Sequence, residues 1–127
     1  MTTERFERGL AARKAVLGDA YVEANLAAAD DFNREFQEVV TEFCWGFGWA
    51  DETLTRRERS MINLGMIAAL GRMHEWELHF RGAMTNGLTR DELRSVLHQI
   101  TIYAGVPAGV ECFRIARKVF AEMDASG

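Results

Sequence analysis

Apolar residues recur at three- and four-residue intervals along nearly the whole chain, and no stretch alternates for long enough to read as a strand. Phe6, Leu10, Ala11 and the pair Val16–Leu17 form one stripe over residues 4–17, which Gly18 is suited to stop. Asp19 can cap a second helix through Tyr21, Val22 and Leu26 to about Ala29. Asp30 or Asp31 can open a third, with Phe32, Phe36, Val39, Val40 and Phe43 to one side. It runs into the glycine-punctuated aromatic patch Cys44-Trp45-Gly46-Phe47-Gly48-Trp49.

Further along, Thr55 and Glu58 have the spacing of a capping box and open a helix through Met61, Leu64, Ile67 and Ala68. Gly71 marks a bend or stop before a helix from about Met73 to Asn86, ended by Gly87. Thr89 and Glu92 repeat the capping box at the head of a helix reaching Tyr103. Gly105 breaks the chain, and Pro107 suits the first turn of a last helix ending near Met123. The pattern predicts an all-α protein of six to seven helices. Pro107 is the single proline, in keeping with long helices and short turns. Seven short helices cannot all bury both sides in one small core. The patch at Trp45, Phe47 and Trp49 is therefore either a subunit interface or an aromatic core.

A length of 127 residues suits one domain, 1–127, and 48% hydrophobic with 27% charged residues is an ordinary globular balance. The net charge of −4 argues against nonspecific attraction to nucleic acid or an anionic membrane, leaving a small molecule as the expected partner. No apolar run approaches the ~20 residues of a membrane span, and the N-terminus lacks the basic start and apolar block of a secretory signal. A cytoplasmic location is the expectation. Cys44 and Cys112, far apart and flanked by bulky residues, read as reduced, partly buried thiols.

The densest polar cluster lies at residues 72–81, Arg72-Met73-His74-Glu75-Trp76-Glu77-Leu78-His79-Phe80-Arg81. A zincin helix needs its histidines four residues apart. His74 and His79 are five apart, roughly 140° around a helix, and that motif fails. Glu75 and His79 have the spacing for two metal ligands, but no third is evident, and no metal is expected. Arg72, Glu75 and His79, at i, i+3 and i+7, share one narrow face. That face is either an acid–base and anion-binding set or a solvated surface. His74 points off it. Gln99 and Tyr103, at i and i+4, can present an amide and a phenol to one pocket. Within Arg56-Arg57-Glu58-Arg59, an inward-facing arginine can hold a carboxylate by a bidentate bond. His98, alone among apolar residues, reads as a structural group. Phosphate-binding glycine loops, the GxSxG elbow and CxxC are all absent.

The segment from Arg59 to Leu70, then Arg72-Met73-His74-Glu75 and His79, resembles the carboxymuconolactone decarboxylase family. So do Asn86-Gly87-Leu88-Thr89 with Glu92, Gln99 through Tyr103 to Ala108, Phe113-Arg114-Ile115-Ala116, Arg13 to Gly18, and Trp45-Gly46. The likeness spans almost the whole chain. It implies a single-domain helical bundle of the alkyl hydroperoxidase D-like type, assembled as a homo-oligomer (hexamer or trimer) with sites near subunit boundaries. Relatives of that wider type carry CxxC followed by histidine on this helix. With His79 set on that histidine, Arg72 and Glu75 stand where the cysteines would be.

The resemblance implies cofactor-independent decarboxylation of 4-carboxymuconolactone to the enol-lactone of 3-oxoadipate, in aromatic breakdown through protocatechuate. His79 is then the leading proton donor, with Glu75 orienting it. Arg72 or Arg59 clamps a carboxylate, His74 is a second donor, and Gln99 or Tyr103 lines the pocket. His98 stands where the family more often has an apolar residue. Two other readings keep the fold: a redox accessory protein lacking CxxC, and a non-enzymatic helical assembly that binds a small molecule.

Overall fold

A computed structural model describes residues 2–127. They form seven α-helices and one π-helical segment, with no strand among the described residues. Two compact units divide the chain, the first reaching to Arg56 and the second spanning Arg57–Gly127.

In the first unit, helix α1 (Glu4–Leu17) begins where Thr3 Oγ1 accepts the Phe6 N–H at 2.9 Å, and two glutamates in its first turn suit the positive end of the helix dipole. Helix α2 (Asp19–Ala27) follows after one residue, Gly18, whose φ of +94° breaks the chain between the two helices. Its cap position is Gly18 and not Asp19, which is already the first helical residue; no side chain caps this end. Asp30 closes the next turn, its carboxylate accepting from the N–H groups of Phe32 and Asn33, and α3 (Arg34–Val39) starts after it.

Helix α3 does not continue with α-helical spacing. From Val40 to Trp49 the chain winds as a π-helix, whose end is marked by the Ala50 N–H reaching back five residues to the Trp45 carbonyl at 2.8 Å. The wider turns put Thr41, Trp45, Gly46 and Trp49 inside. Trp45 and Trp49 stack with centroids 5.0 Å apart and close a small core with Ala12 and Val16. Phe47 is 72% exposed, so the patch is divided: its tryptophans are core and its phenylalanine is surface. Cys44 is likewise exposed and not partly buried.

Helix α1 and the π-helix meet backbone to backbone. A side chain at Gly9 would strike the Thr41 carbonyl and Gly46, and one at Gly46 would strike the Arg5 carbonyl. Arg13, buried a turn further along, donates to Thr41 Oγ1 (3.0 Å) and Gln37 Oε1 (3.1 Å).

The second unit holds α4 (Arg56–Leu70), α5 (Met73–Thr85), α6 (Arg90–Tyr103) and α7 (Val106–Ser126). The first two helices end alike. The N–H of Gly71 bonds the Ala68 carbonyl and that of Arg72 the Ile67 carbonyl, with Gly71 at φ +72°. Gly87, at φ +98°, and Leu88 repeat the pattern on Met84 and Ala83. These are Schellman closures, in which a glycine takes the left-handed turn at little cost. The capping box on α6 is complete: Thr89 Oγ1 accepts the Glu92 N–H, and the Glu92 carboxylate accepts the Thr89 N–H. Leu64, Trp76, Phe80, Leu93, Leu97, Cys112 and Val119 are the largest fully buried members of one core shared by all four helices.

Gly9→Ala is expected to destabilise the protein by about 1–3 kcal/mol or more, because the new methyl meets backbone that cannot swing aside. Chemical denaturation of both proteins reads this directly, and an unchanged midpoint would disprove the close contact.

Candidate functional site

The candidate site is carried by α5, and its orientation follows from one side of that helix. Trp76 and Phe80 are completely buried and stack at 5.1 Å. The indole N–H has no access to water and donates to the Leu64 carbonyl on α4 at 3.0 Å. With Trp76 inward, residues one and three positions later fall on opposite flanks, about 200° apart. Glu77 takes one flank and bonds Lys118 of α7 at 2.8 Å and Arg81 at 2.9 Å, while Arg81 reaches Glu122 at 2.6 Å. These hydrogen bonds, led by that from Lys118, hold the Glu77 carboxyl below the usual carboxylate range. Nothing in the spacing of residues 72–81 had singled out Glu77. Its visible trace was the i, i+4 pair with Arg81.

His79 takes the other flank and is half-buried. Burial pushes its imidazole below the ordinary histidine value, and the Glu75 carboxylate opposes that shift without cancelling it. The ring is therefore predominantly neutral at pH 7. Glu75 is exposed one turn earlier, and Arg72 is exposed at the cap position of α5, its carbonyl accepting the Trp76 N–H at 2.9 Å. The Schellman closure at Gly71 places Arg72 there. The face bearing Arg72, Glu75 and His79 thus grades from water-exposed ions to a sheltered imidazole.

His74 is exposed and turned away from this face. Arg59 is half-buried in the first turn of α4, next to the fully buried Ser60, whose hydroxyl accepts from Asn86 Nδ2 at 2.9 Å. Gln99 and Tyr103 come together in a different place. They line a groove of about 780 Å³ between α4 and α6 with Met61, Met66, Val96 and Ile100, and neither His79 nor Arg72 lines it. Its acidic member, Glu92, is engaged by Arg57. Cys112 is fully buried, and its thiol is pushed up to about 11 by that burial, the reverse of an activated nucleophile. Among the described residues no three His, Cys, Asp or Glu side chains are grouped to hold a metal ion, and no helix is long and apolar enough to cross a membrane.

Comparison with known proteins bears on this arrangement. The model of the carboxymuconolactone decarboxylase family matches residues 34–118. The chain is 36% identical over 120 residues to 4-carboxymuconolactone decarboxylase of Acinetobacter baylyi, covering 94% of this chain and 90% of that protein. It belongs to the carboxymuconolactone decarboxylase family. It is also 38% identical over 122 residues to nitrosuccinic acid decarboxylase npaB of Metarhizium robertsii, covering 96% of this chain and 85% of that protein. A 43-residue stretch, 34% of this chain and 90% of its relative, is 46% identical to 4-carboxymuconolactone decarboxylase of Pseudomonas putida. Within this family member, α5 carries no cysteine between Arg72 and His79.

The His79 ring signals are expected to titrate in NMR with a midpoint below 6.5, and Glu75→Gln to lower it further by removing the one charge that favours the imidazolium. A midpoint above 6.5, or one raised by Glu75→Gln, would contradict the burial described. Because folding depresses this histidine, its contribution to stability is complete above the unfolded value near 6.5 and declines as pH falls through the lower folded value.

Proposed function

We propose that this family member is a cofactor-independent decarboxylase of 4-carboxymuconolactone, with the Arg72–Glu75–His79 face of α5 as its reacting centre. The sheltered His79 imidazole beside the Glu75 carboxylate, on a helix with an arginine at its head, is the observation that carries the proposal. Similarity to two decarboxylases over most of the chain supports the reaction class.

Both relatives are named for substrates of one chemical kind. Carboxymuconolactone and nitrosuccinic acid each carry two carboxyl groups, one of them placed so that its bonding electrons can flow into a sink within the molecule. In the lactone, loss of CO2 sends the electron pair through the ring double bond to the lactone carbonyl. The resulting furanolate-like anion takes one proton at the carbon beside that carbonyl, giving the enol-lactone. The substrate supplies the sink. The protein must hold a dianion, stabilise the oxygen that gains charge, and deliver the proton.

On this proposal Arg72 binds the carboxylate that is retained, by the paired N–H geometry of a guanidinium. A donor set at the developing oxyanion contributes about 3–4 kcal/mol. His79 delivers the proton. A neutral imidazole is a weak acid, but a dianion bound beside it favours the imidazolium, so His79 gains its proton as the substrate arrives. Glu75 holds the ring and supports the charged form. One proton is consumed per turnover, and solvent restores it to His79.

The exposed apolar side chains Phe32, Phe36, Val39, Phe43 and Phe47, three to four residues apart, support a homo-oligomer, since this much exposed apolar surface calls for cover.

His79→Gln should reduce turnover by about a hundredfold or more while the oligomer sediments unchanged. Near-normal turnover would remove His79 from the mechanism. In the native enzyme kcat should hold to higher pH than kcat/KM, because bound dianion raises the His79 value and free enzyme shows the depressed one; coincident profiles would defeat substrate-coupled protonation. Arg72→Met should chiefly raise the apparent KM, and an unchanged constant would refute the clamp. The decisive assay supplies 4-carboxymuconolactone in deuterated water and follows CO2 and product by NMR, with one deuterium expected beside the carbonyl. Turnover of nitrosuccinate alone would move the substrate and keep the reaction class. Peroxide consumption with a thiol reductant would instead favour the redox alternative.

A further inference from the structure

A second groove, of about 820 Å³, lies between α6 and α7 and shares no residue with the α5 face. Its apolar lining is Val106, Gly109, Val110 and Phe113, with Gly109 buried, Phe113 half-buried and the two valines exposed. Gly109 keeps the helix crossing low, because a side chain there would strike Thr101 Oγ1. Its rim is cationic. Arg114, Arg117 and Lys118 rise from α7, and His98 faces them from α6 with its ring 5.8 Å from that of Phe113.

The three cations are not equivalent. Arg114 is held by Glu111 at 2.9 Å and Lys118 by Glu77 at 2.8 Å. Arg117 has no ion pair among the described residues, and no carboxylate lines the groove. In a chain of net charge −4 this is a local reversal of sign against an apolar lining. We propose that the α6–α7 groove binds an amphiphilic carboxylate, with a ring-sized apolar body against Val110 and Phe113 and its carboxylate on Arg117.

The volume falls within the range of small-molecule sites, roughly 300–1,000 Å³. Four apolar lining residues offer far less than the ~800 Å² per partner of a stable protein interface. A guanidinium suits a carboxylate better than a point charge does, because its two N–H groups meet both oxygens. The position of His98 also finds an explanation: its ring edges the apolar lining beside Phe113, where an aliphatic side chain would present no polar edge.

The test uses 2-naphthoate and its uncharged isostere 2-naphthamide, followed by amide and histidine-ring NMR on the full chain. Naphthoate should shift Val110, Phe113 and the His98 ring saturably, and naphthamide should bind at least about tenfold more weakly, as loss of a charge-assisted bond requires. Arg117→Ala should weaken naphthoate by a similar factor while leaving the fold intact, since the residue is exposed. Arg72→Met, on α5, should leave it unaltered. Shifts confined to α5, equal binding of the amide, or indifference to Arg117→Ala would each overturn the proposal. So would a groove that stays silent in the assembled protein while Arg117→Ala changes its sedimentation, which would assign this face to a contact between copies.

Discussion

The buried Trp76 is the constraint on which the second unit turns. An indole N–H without water must find an acceptor, and the acceptor here is the Leu64 carbonyl in the middle of α4. That carbonyl already closes its own helical turn and offers its remaining lone pair. The bond fixes how α5 is rotated about its axis, and everything else on the helix follows by arithmetic. Glu77 must fall toward α7, where Lys118 and Arg81 meet it. His79 must fall on the far flank, half-sheltered, with Glu75 one turn behind. The exposed ion pairs around Glu77 add at most about 1 kcal/mol apiece, so the indole and the stacked Phe80, not the charges, do the aligning.

A different contact organises the first unit. Gly9 and Gly46 let two helical backbones touch, and the two stacked tryptophans seal the core beside them. A side chain at either glycine would hold the helices apart and open the space that Trp45 and Trp49 fill. The buried Arg13 adds a polar tie from α1 to the π-helix through Thr41 and to α3 through Gln37. Burial lowers the readiness of its guanidinium to carry charge, and its two neutral acceptors compensate only part of what water would give.

What the sequence made legible was local. The span of α1, the glycine stops at Gly71 and Gly87, the Thr89–Glu92 box and the proline start of α7 are short-range signals, each set by a few backbone dihedrals or one reciprocal pair of hydrogen bonds. What it hid depended on distant partners. The π-helix has an apolar stripe that suits an α-helix nearly as well, and the backbone it packs against lies at Gly9, more than thirty residues away. The division of the aromatic patch, with Trp45 and Trp49 inside and Phe47 outside, follows from that wider winding. On α5, spacing showed that Arg72, Glu75 and His79 share a face. The degree to which His79 is sheltered belongs to the packing of Trp76 and Phe80, and no periodicity reports it. Gln99 and Tyr103, one turn apart on α6, both line the α4–α6 groove, which His79 does not reach.

The same three positions on one helical face suit two kinds of chemistry. Two thiols at i and i+3 with a histidine at i+7 make a redox centre, because sulfur atoms one turn apart can form and break a bond with each other. A guanidinium and a carboxylate at those places can exchange no electrons. On the proposed mechanism they organise charge: one end of the face attracts an anion, and the other sets whether the imidazole holds a proton. That division fits a substrate carrying its own electron sink, for which the protein need supply neither oxidant nor cofactor, only position, a countercharge and one proton. The neutral resting state of His79 is then an advantage. A permanently charged imidazolium would be paired with Glu75 and partly spent, whereas on the proposed mechanism a sheltered neutral ring is drawn into its acidic form by the dianion that requires it.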